Sequence, residues 1–160
     1  MSLQTFGPGT TAQPLIGALL RVPWEVLRQR LLDGLHAAGF TDLTPSHLSI
    51  LLYPGPHGLR PTDLAEQRQM SRQAVNYLVG QVEQLGYLER HSDPGDQRSK
   101  RIALTARGRR AGQVIRDTVA ELEREWSEQM GSERFAELKS LLAELGSISA
   151  GSAPAGPRRS

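Results

Sequence analysis

The chain has 160 residues, of which 38% are hydrophobic and 22% charged, so it holds enough apolar material for a core and wholesale disorder is excluded. It contains no cysteine, which excludes disulfides, thiolate metal sites and cysteine-based redox sensing. No apolar run approaches the roughly 18 residues of a membrane-spanning helix, and the first apolar stretch lacks the preceding basic residues of a signal peptide. We therefore expect a cytoplasmic protein without a membrane span.

The net charge of +2 hides an uneven distribution. Residues 90–110 hold seven basic residues against two acidic ones, whereas residues 117–144 hold eight acidic residues against three basic ones. A basic segment favours a polyanionic partner, but on charge alone a solvated, salt-tolerant surface explains it almost as well.

The N-terminal part of the chain contains an arm and then a first helix. Residues 1–13 are polar and include Gly7-Pro8-Gly9, which predicts a flexible arm. Within 14–43, apolar residues recur at helical spacing until Gly39, so this region is predicted to hold one helix. Pro23 is expected to kink or break it, because proline lacks the backbone N–H and clashes with the preceding turn.

The region 44–104 shows the pattern of three short helices followed by a hairpin. Thr44-Pro45 begins the first of these helices, which is expected to run to about Tyr53. Pro61 begins the second helix. Ser71 is expected to cap the third, after a short turn.

A hairpin is predicted where the hydrophobic period changes. Two extended segments, 87–91 and 100–104, flank Asp93-Pro94-Gly95-Asp96, which has the proline and the glycine that a type II turn prefers. One carboxylate of this turn is expected to orient Arg98 through a charge-assisted pair.

The C-terminal part is predicted to be helical up to residue 146. Thr105 is expected to cap a long helix, and a last helix follows Gly131-Ser132. Burying one large apolar side chain contributes about 1.5–3 kcal/mol. The apolar residues of these helices therefore need the first helix and a second subunit: Ile115, Val119, Leu122, Trp126, Phe135, Leu138, Leu141 and Leu142. Region 105–146 is thus expected to dimerise, and residues 147–160, rich in Gly, Ser, Ala and Pro, to form a disordered tail.

The order of elements in 44–104 is typical of a winged helix. The fold class we predict is mainly α with a small β-hairpin wing: a winged helix-turn-helix joined to N- and C-terminal dimerisation helices. In such a domain the second helix of the helix-turn-helix enters the major groove of DNA.

The helix that starts at Ser71 has two faces. An apolar stripe is assigned to the core: Ala74, Val75, Leu78, Val82 and Leu85. The opposite stripe carries side chains that bind base edges, since arginine pairs with guanine, and glutamine or asparagine with adenine. Its members are Arg72, Gln73, Asn76, Tyr77 and Gly80. An ordinary solvent-facing surface is the alternative interpretation of this stripe.

The hairpin supplies a second set of candidate DNA contacts. Arg98, Lys100 and Arg101 are long enough to reach the sugar-phosphate backbone or the narrow groove. A plain surface turn is the alternative.

Two stretches, LTPSHLSILLY and RPTDLAEQRQMSRQAVNYLVGQVEQLGYLERHSDPGDQRSKRIALTARG, resemble the multiple-antibiotic-resistance regulator (MarR) family. The wing DPGDQRS and the closing ALTxxG at Ala103 to Gly108 are parts of the match. The resemblance implies a homodimeric winged-helix transcriptional regulator, more often a repressor, whose terminal helices intertwine. It implies DNA-binding roles for Ser71, Arg72, Gln73, Asn76, Tyr77 and Arg98. The wing departs from the family in having Gln97 where a second arginine is common.

The resemblance also implies a small aromatic or phenolic effector, bound between the dimer helices and the winged helix. Trp24, His36 and His47 are the candidates to line that cleft. A core position for the tryptophan and partly exposed histidines explain these residues equally well.

Enzymatic and metal-binding signatures are missing from the sequence. The four histidines lack metal-ligand spacing, and GxSxG, GxGxxG, HExxH and a phosphate loop are absent, so we predict no catalytic residue, metal or cofactor. The functional prediction is a sequence-specific regulator of double-stranded DNA. The alternative is a winged-helix protein-interaction module without DNA binding.

Overall fold

A computed structural model of the chain describes residues 14–51, 58–93 and 95–151, with the backbone alone at 96–98, 150 and 151. The fold class is confirmed, because these residues form helices and one antiparallel hairpin in the predicted order. The elements are α1 (Ile16–Ala37), α2 (Pro45–Leu51), α3 (Pro61–Arg68), α4 (Arg72–Gln84), β1 (Leu88–Asp93), β2 (Asp96–Leu104), α5 (Ala106–Met130) and α6 (Ser132–Gly151).

The chain divides into two compact units between Thr118 and Val119. The first unit contains α1 to α4, the hairpin and the beginning of α5. The second contains the remainder of α5 and α6. Within the described residues, no helix has both the length and the apolar composition to span a membrane.

The helix-turn-helix consists of α3 and α4, as predicted. Gln69 ends α3 in the left-handed conformation, with φ of 51°. The Ser71 hydroxyl begins α4 by accepting a hydrogen bond from the backbone N–H of Ala74 at 3.1 Å. The predicted end of α2 near Tyr53 lies outside the described residues, which reach Leu51 on that side.

The buried face of α4 differs in one position from the predicted stripe. Val75, Val79 and Val82 are fully buried, at the i, i+4, i+7 spacing of one helix face. Val79, the centre of this stripe, was absent from the prediction, whereas Ala74 and Leu78 lie only half-buried at its edges. Helix α4 thus fixes its core side with three β-branched residues and leaves the opposite side to solvent.

The hairpin is longer than predicted and contains a bulge. Regular antiparallel pairing runs from Leu88 opposite Leu104 to Ser92 opposite Lys100, and then Asp93 lies opposite Asp96. Strand β2 therefore accommodates three extra residues, 97–99, next to the turn. Because Pro94 lies outside the described residues, the type II turn remains a prediction.

Helix α1 is continuous through Pro23, so the chain does not break there, and the kink expected as the other outcome stays a prediction. Proline removes the N–H that would bond to the carbonyl of Leu19. Both residues are exposed, so water can bond to that carbonyl instead.

The C-terminal helices begin as predicted but end later. The Thr105 hydroxyl caps α5 by accepting from the N–H of Gly108 at 3.1 Å. Helix α6 continues to Gly151, so the prediction of disorder is wrong for residues 147–151. The remainder of the predicted tail, 152–160, lies outside the described residues.

The single chain buries part of the apolar surface that was expected to need a second subunit. Ile115, Leu122 and Phe135 are all buried. Two surfaces remain exposed. The α1 apolar surface comprises Leu15, Ile16, Leu19, Leu20, Val22, Trp24 and Val26, and the α6 apolar surface comprises Leu138, Leu141, Leu142, Leu145 and Ile148.

Candidate nucleic-acid interface

The solvent face of α4 presents polar side chains without internal partners. Arg72, Gln73 and Asn76 are exposed, and none of them forms a hydrogen bond or ion pair with another described residue. The three predicted base-reading groups therefore keep their hydrogen-bonding capacity for a ligand. Tyr77 lies on the same face with 66% of its surface exposed.

Two neighbours on this helix have local partners. The Ser71 hydroxyl oxygen is occupied by the N-terminal cap of α4, so its structural role is to start the helix. The Tyr77 hydroxyl accepts a hydrogen bond from the side-chain amide of Gln81 at 3.1 Å. Gly80, one turn from Asn76, has no heavy atom within 4 Å of the position that a Cβ would take, so a larger residue would fit in the free chain.

The wing is held by the carboxylate of Asp93. Asp93 is almost completely buried and accepts hydrogen bonds from Arg60 Nε at 2.7 Å and from Arg101 Nε at 3.0 Å. Its other oxygen accepts from the N–H of Gly95 at 2.9 Å. Asp93 therefore ties the turn to β2 and to the residue before α3. The predicted pairing of a turn carboxylate with Arg98 lies outside the described residues, because the side chains of Asp96 and Arg98 are not described.

The three predicted wing cations have different environments. Lys100 is exposed, and its Nζ donates to the Ser92 hydroxyl at 3.2 Å. Arg101 is half-buried in the pair with Asp93, which makes it a structural residue first. Arg98 lies at the centre of the bulge formed by 97–99, and its side chain is outside the described part of the structure.

A second polar cluster, which the sequence analysis missed, joins the end of α4 to the start of α5. The Tyr87 hydroxyl donates to Asp42, whose other oxygen accepts from Arg107 at 2.9 Å. Arg107 also donates to the carbonyl of Leu85, the C-cap of α4, at 2.7 Å, and its guanidinium lies 4.4 Å from the Tyr87 ring centre. These residues are distant in sequence, so no local motif connects them.

The electrostatics of both clusters favour charged carboxylates. Partial burial would raise the pKa of Asp42, but hydrogen bonds from Tyr87 and Arg107 hold it below its ordinary value. Burial, followed by the bond to Asp42, raises the pKa of the Tyr87 hydroxyl. The hydrogen bond from Arg60, then that from Gly95 and the Arg101 guanidinium, hold the pKa of Asp93 far below its ordinary value.

The Asp93 cluster predicts a defined acid sensitivity. A carboxylate with a lowered folded-state pKa contributes stability above its unfolded pKa of about 3.9, and this contribution decreases as the pH falls towards the folded value. We expect Asp93→Asn to melt several degrees below the parent at pH 7, with the difference shrinking below about pH 4. Melting temperatures measured between pH 3 and pH 7 check this, with exposed Glu137→Gln as the control. A constant difference across this range would contradict the assignment.

The predicted effector residues do not form one group within a chain. His36 Nε2 lies 3.3 Å from the carbonyl of Leu43, and the buried His47 accepts from the N–H of Thr44, so both contact the connection between α1 and α2. Trp24 lies twelve residues before His36 in the continuous helix, which corresponds to about 18 Å. It is half exposed. A single small aromatic molecule therefore cannot contact all three residues of one chain.

Comparisons with known proteins agree with this architecture. The MarR family profile matches residues 41–99. The HTH-type transcriptional regulator PapX of Escherichia coli is 31% identical over 61 residues, which span 38% of this chain and 37% of PapX.

Two solved structures extend the likeness beyond the winged helix. The transcriptional repressor CouR, bound to a 23-mer DNA duplex, is 25% identical, with a TM-score of 0.64 over 82% of this chain and 92% of its own. A second CouR structure in the comparison is of the protein from Rhodococcus jostii RHA1. NadR in complex with 4-hydroxyphenylacetate is 28% identical, with a TM-score of 0.63 over 87% of this chain and 97% of its own.

The profile match covers the helix-turn-helix and most of the wing, and the structural matches cover 82% and 87% of the chain. By the sequence of residues 41–99 and by the fold that surrounds them, the chain is similar to the MarR family of winged-helix transcriptional regulators.

Proposed function

We propose that this chain is a homodimeric repressor that binds a pseudo-palindromic site on double-stranded DNA and is released by a small aromatic acid. The observation that carries the proposal is the solvent face of α4. Arg72, Gln73 and Asn76 on this face have no partner among the described residues, while the opposite face is fixed in the core. A helix held in this way can enter the major groove without rearranging.

The candidate DNA-binding residues other than Tyr77 have the following roles in this proposal. Arg72 binds guanine, and Gln73 and Asn76 bind adenine edges. Arg98 on the bulge, with exposed Lys100, contacts the flanking backbone or the narrow groove. Ser71 and Arg101 act mainly through structure, as the cap of α4 and the partner of Asp93.

The homodimer is supported by the apolar surfaces of α1 and α6. We assign regions 14–43 and 105–146 to dimerisation, with the winged helix between them. A two-fold dimer places two recognition helices about one DNA turn apart, so the site is expected to be nearly palindromic.

Release by an aromatic acid is supported by the ligand of NadR. The dimer has one state that binds DNA and another that does not. To release DNA, an effector must bind the second state more tightly than the first. His36 and His47, beside the connection of α1 and α2, are the candidates to contact it in each chain.

Selection of bound duplexes from a random pool tests the proposal, with salt titration of the selected site. Phosphate contacts predict that log K falls linearly with log salt concentration. Repeating the selection with aromatic acids tests release. Failure to enrich any duplex would favour the protein-interaction module instead.

Variants separate the two kinds of contact. Asn76→Ala should lose discrimination at one base position by about 1–3 kcal/mol, whereas Arg98→Ala should weaken binding to all sequences and reduce the salt slope by about one. Arg124→Ala, an exposed arginine of the second unit, is the matched control and should bind like the parent. Equal affinity of Arg98→Ala and the parent would remove the wing from the mechanism.

A further inference from the structure

We propose that Tyr77 recognises the C5-methyl group of a thymine in the major groove and that Gln81 positions the tyrosine ring for this contact. The inference rests on the proposed DNA binding of α4 and names part of the sequence that this helix reads. Tyr77 is the one large apolar side chain found exposed among the described residues between 44 and 104.

The hydrogen bond to Gln81 determines the direction of the ring. Gln81 lies one helical turn after Tyr77, and its amide is 3.1 Å from the phenol oxygen. The bond ties the phenol oxygen of Tyr77 to the next turn of α4, while 66% of the residue stays exposed. Tyr77 therefore stays on the same exposed face as the residues that are proposed to bind base edges.

The neighbouring side chains explain why an apolar contact is needed. Arg72, Gln73 and Asn76 offer hydrogen-bonding groups suited to guanine and adenine, but no apolar surface. Thymine is the base that presents a methyl group in the major groove. An aromatic ring among these polar groups thus adds the contact that distinguishes a thymine from a cytosine at one position of each half-site.

Substitution of thymine by deoxyuridine tests this contact, because it removes only the methyl group. The full-length protein is titrated with its selected duplex, in which the thymines of one half-site are replaced one at a time. The parent is expected to lose about fourfold in affinity at one position, as for one buried methylene-sized group. Tyr77→Ala is expected to bind both duplexes equally. Tyr77→Phe keeps the ring but loses the hydrogen bond to Gln81, so its affinity ratio should fall towards one, as in Gln81→Ala.

Gln81→Ala tests the positioning. In this variant, the ratio of the affinities for the thymine and deoxyuridine duplexes should fall towards one. The melting temperature should stay that of the parent. If Gln81 only stabilised the fold, the substitution would lower the melting temperature instead. If no deoxyuridine changes the affinity of the parent, or if Tyr77→Ala retains the ratio, the methyl contact is refuted while DNA binding stands. An unchanged ratio in Gln81→Ala refutes the positioning role. If no duplex is selected at all, the proposed function fails and this inference fails with it.

Discussion

Replacing Gly108 with alanine is expected to destabilise the protein by about 3 kcal/mol, which lowers the melting temperature by roughly 6–12 °C. Gly108 is the third residue of α5, and a Cβ at this position would lie 2.0 Å from the carbonyl oxygen of Tyr87 and 3.0 Å from its carbonyl carbon. The obstacle is backbone, so no rotamer change relieves it. The start of α5 would have to move away from the residue that precedes β1.

Helix propensity alone predicts the opposite sign. Glycine in a helix costs about 1 kcal/mol relative to alanine, so Gly108→Ala would be stabilising if the site were open. Gly112, one turn further along α5, provides the control. Its added Cβ would have only ordinary contacts, at 3.5 Å to Arg116 and 3.9 Å to Leu104. We expect Gly112→Ala to be neutral or slightly stabilising in urea denaturation. Equal stability of the two variants would contradict the close approach.

This contact also gives a physical reason for a motif noted in the sequence. The closing pattern ALTxxG ends at Gly108. Thr105 caps α5 and donates its hydroxyl proton to the carbonyl of Gly86, and its backbone N–H bonds to the carbonyl of Tyr87. The helix is thereby drawn so close to Tyr87 that only glycine fits one turn later. The motif was recognisable in the sequence, but the carbonyl that requires the glycine was not.

Local patterns predicted most of the elements because their determinants are local. The cap at Ser71, the cap at Thr105 and the alternation of buried and exposed residues on α4 all depend on neighbours within one or two turns. The error at the C-terminus has a local cause as well. Composition suggested a flexible tail, but the hydroxyls of Ser147 and Ser149 donate to carbonyls four residues before them, which is compatible with a continuing helix.

The candidate site was less predictable where its partners are distant in the chain. The sequence placed Asp93 in an exposed turn, whereas its strongest partner, Arg60, is 33 residues away. The link between Asp42 and Arg107 spans 65 residues. Neither hydrophobic periodicity nor a short sequence motif indicates pairs that are so distant in the chain. The exposed face of α4 was predictable because a helix with one buried stripe must present the other to solvent.

Replacing Leu141 with glutamate is expected to dissociate the proposed dimer and to weaken binding of the full DNA site at least about 100-fold. Leu141 is 56% exposed in the single chain and belongs to the α6 apolar surface. In a dimer, each large apolar side chain that becomes buried contributes about 1.5–3 kcal/mol, and a charge at the same place would be desolvated without a partner. Two-fold symmetry places the change in both subunits.

The α1 apolar surface supports the same assignment. Leu15, Leu19, Val22 and Val26 follow one another at intervals of four, three and four residues, so they line one side of α1. The fully buried Leu35 lies about 160° around the helix from Leu19, at 100° per residue. Helix α1 therefore has one side fixed in its own chain and another apolar side exposed, an arrangement that a second copy of the chain would complete.

Sedimentation equilibrium and DNA titration distinguish the outcomes for Leu141→Glu. The matched control is Ser140→Glu, which introduces the same charge at an exposed position away from the apolar stripe of α6. The control should remain dimeric and bind the full site like the parent, whereas Leu141→Glu should sediment as a monomer. Loss of the dimer makes the two half-sites independent, which removes the gain of about 10²–10⁴ that comes from joining two binding units. A parent that is monomeric at micromolar concentration, or a dimeric Leu141→Glu variant with unchanged DNA affinity, would show that this surface does not hold the subunits together.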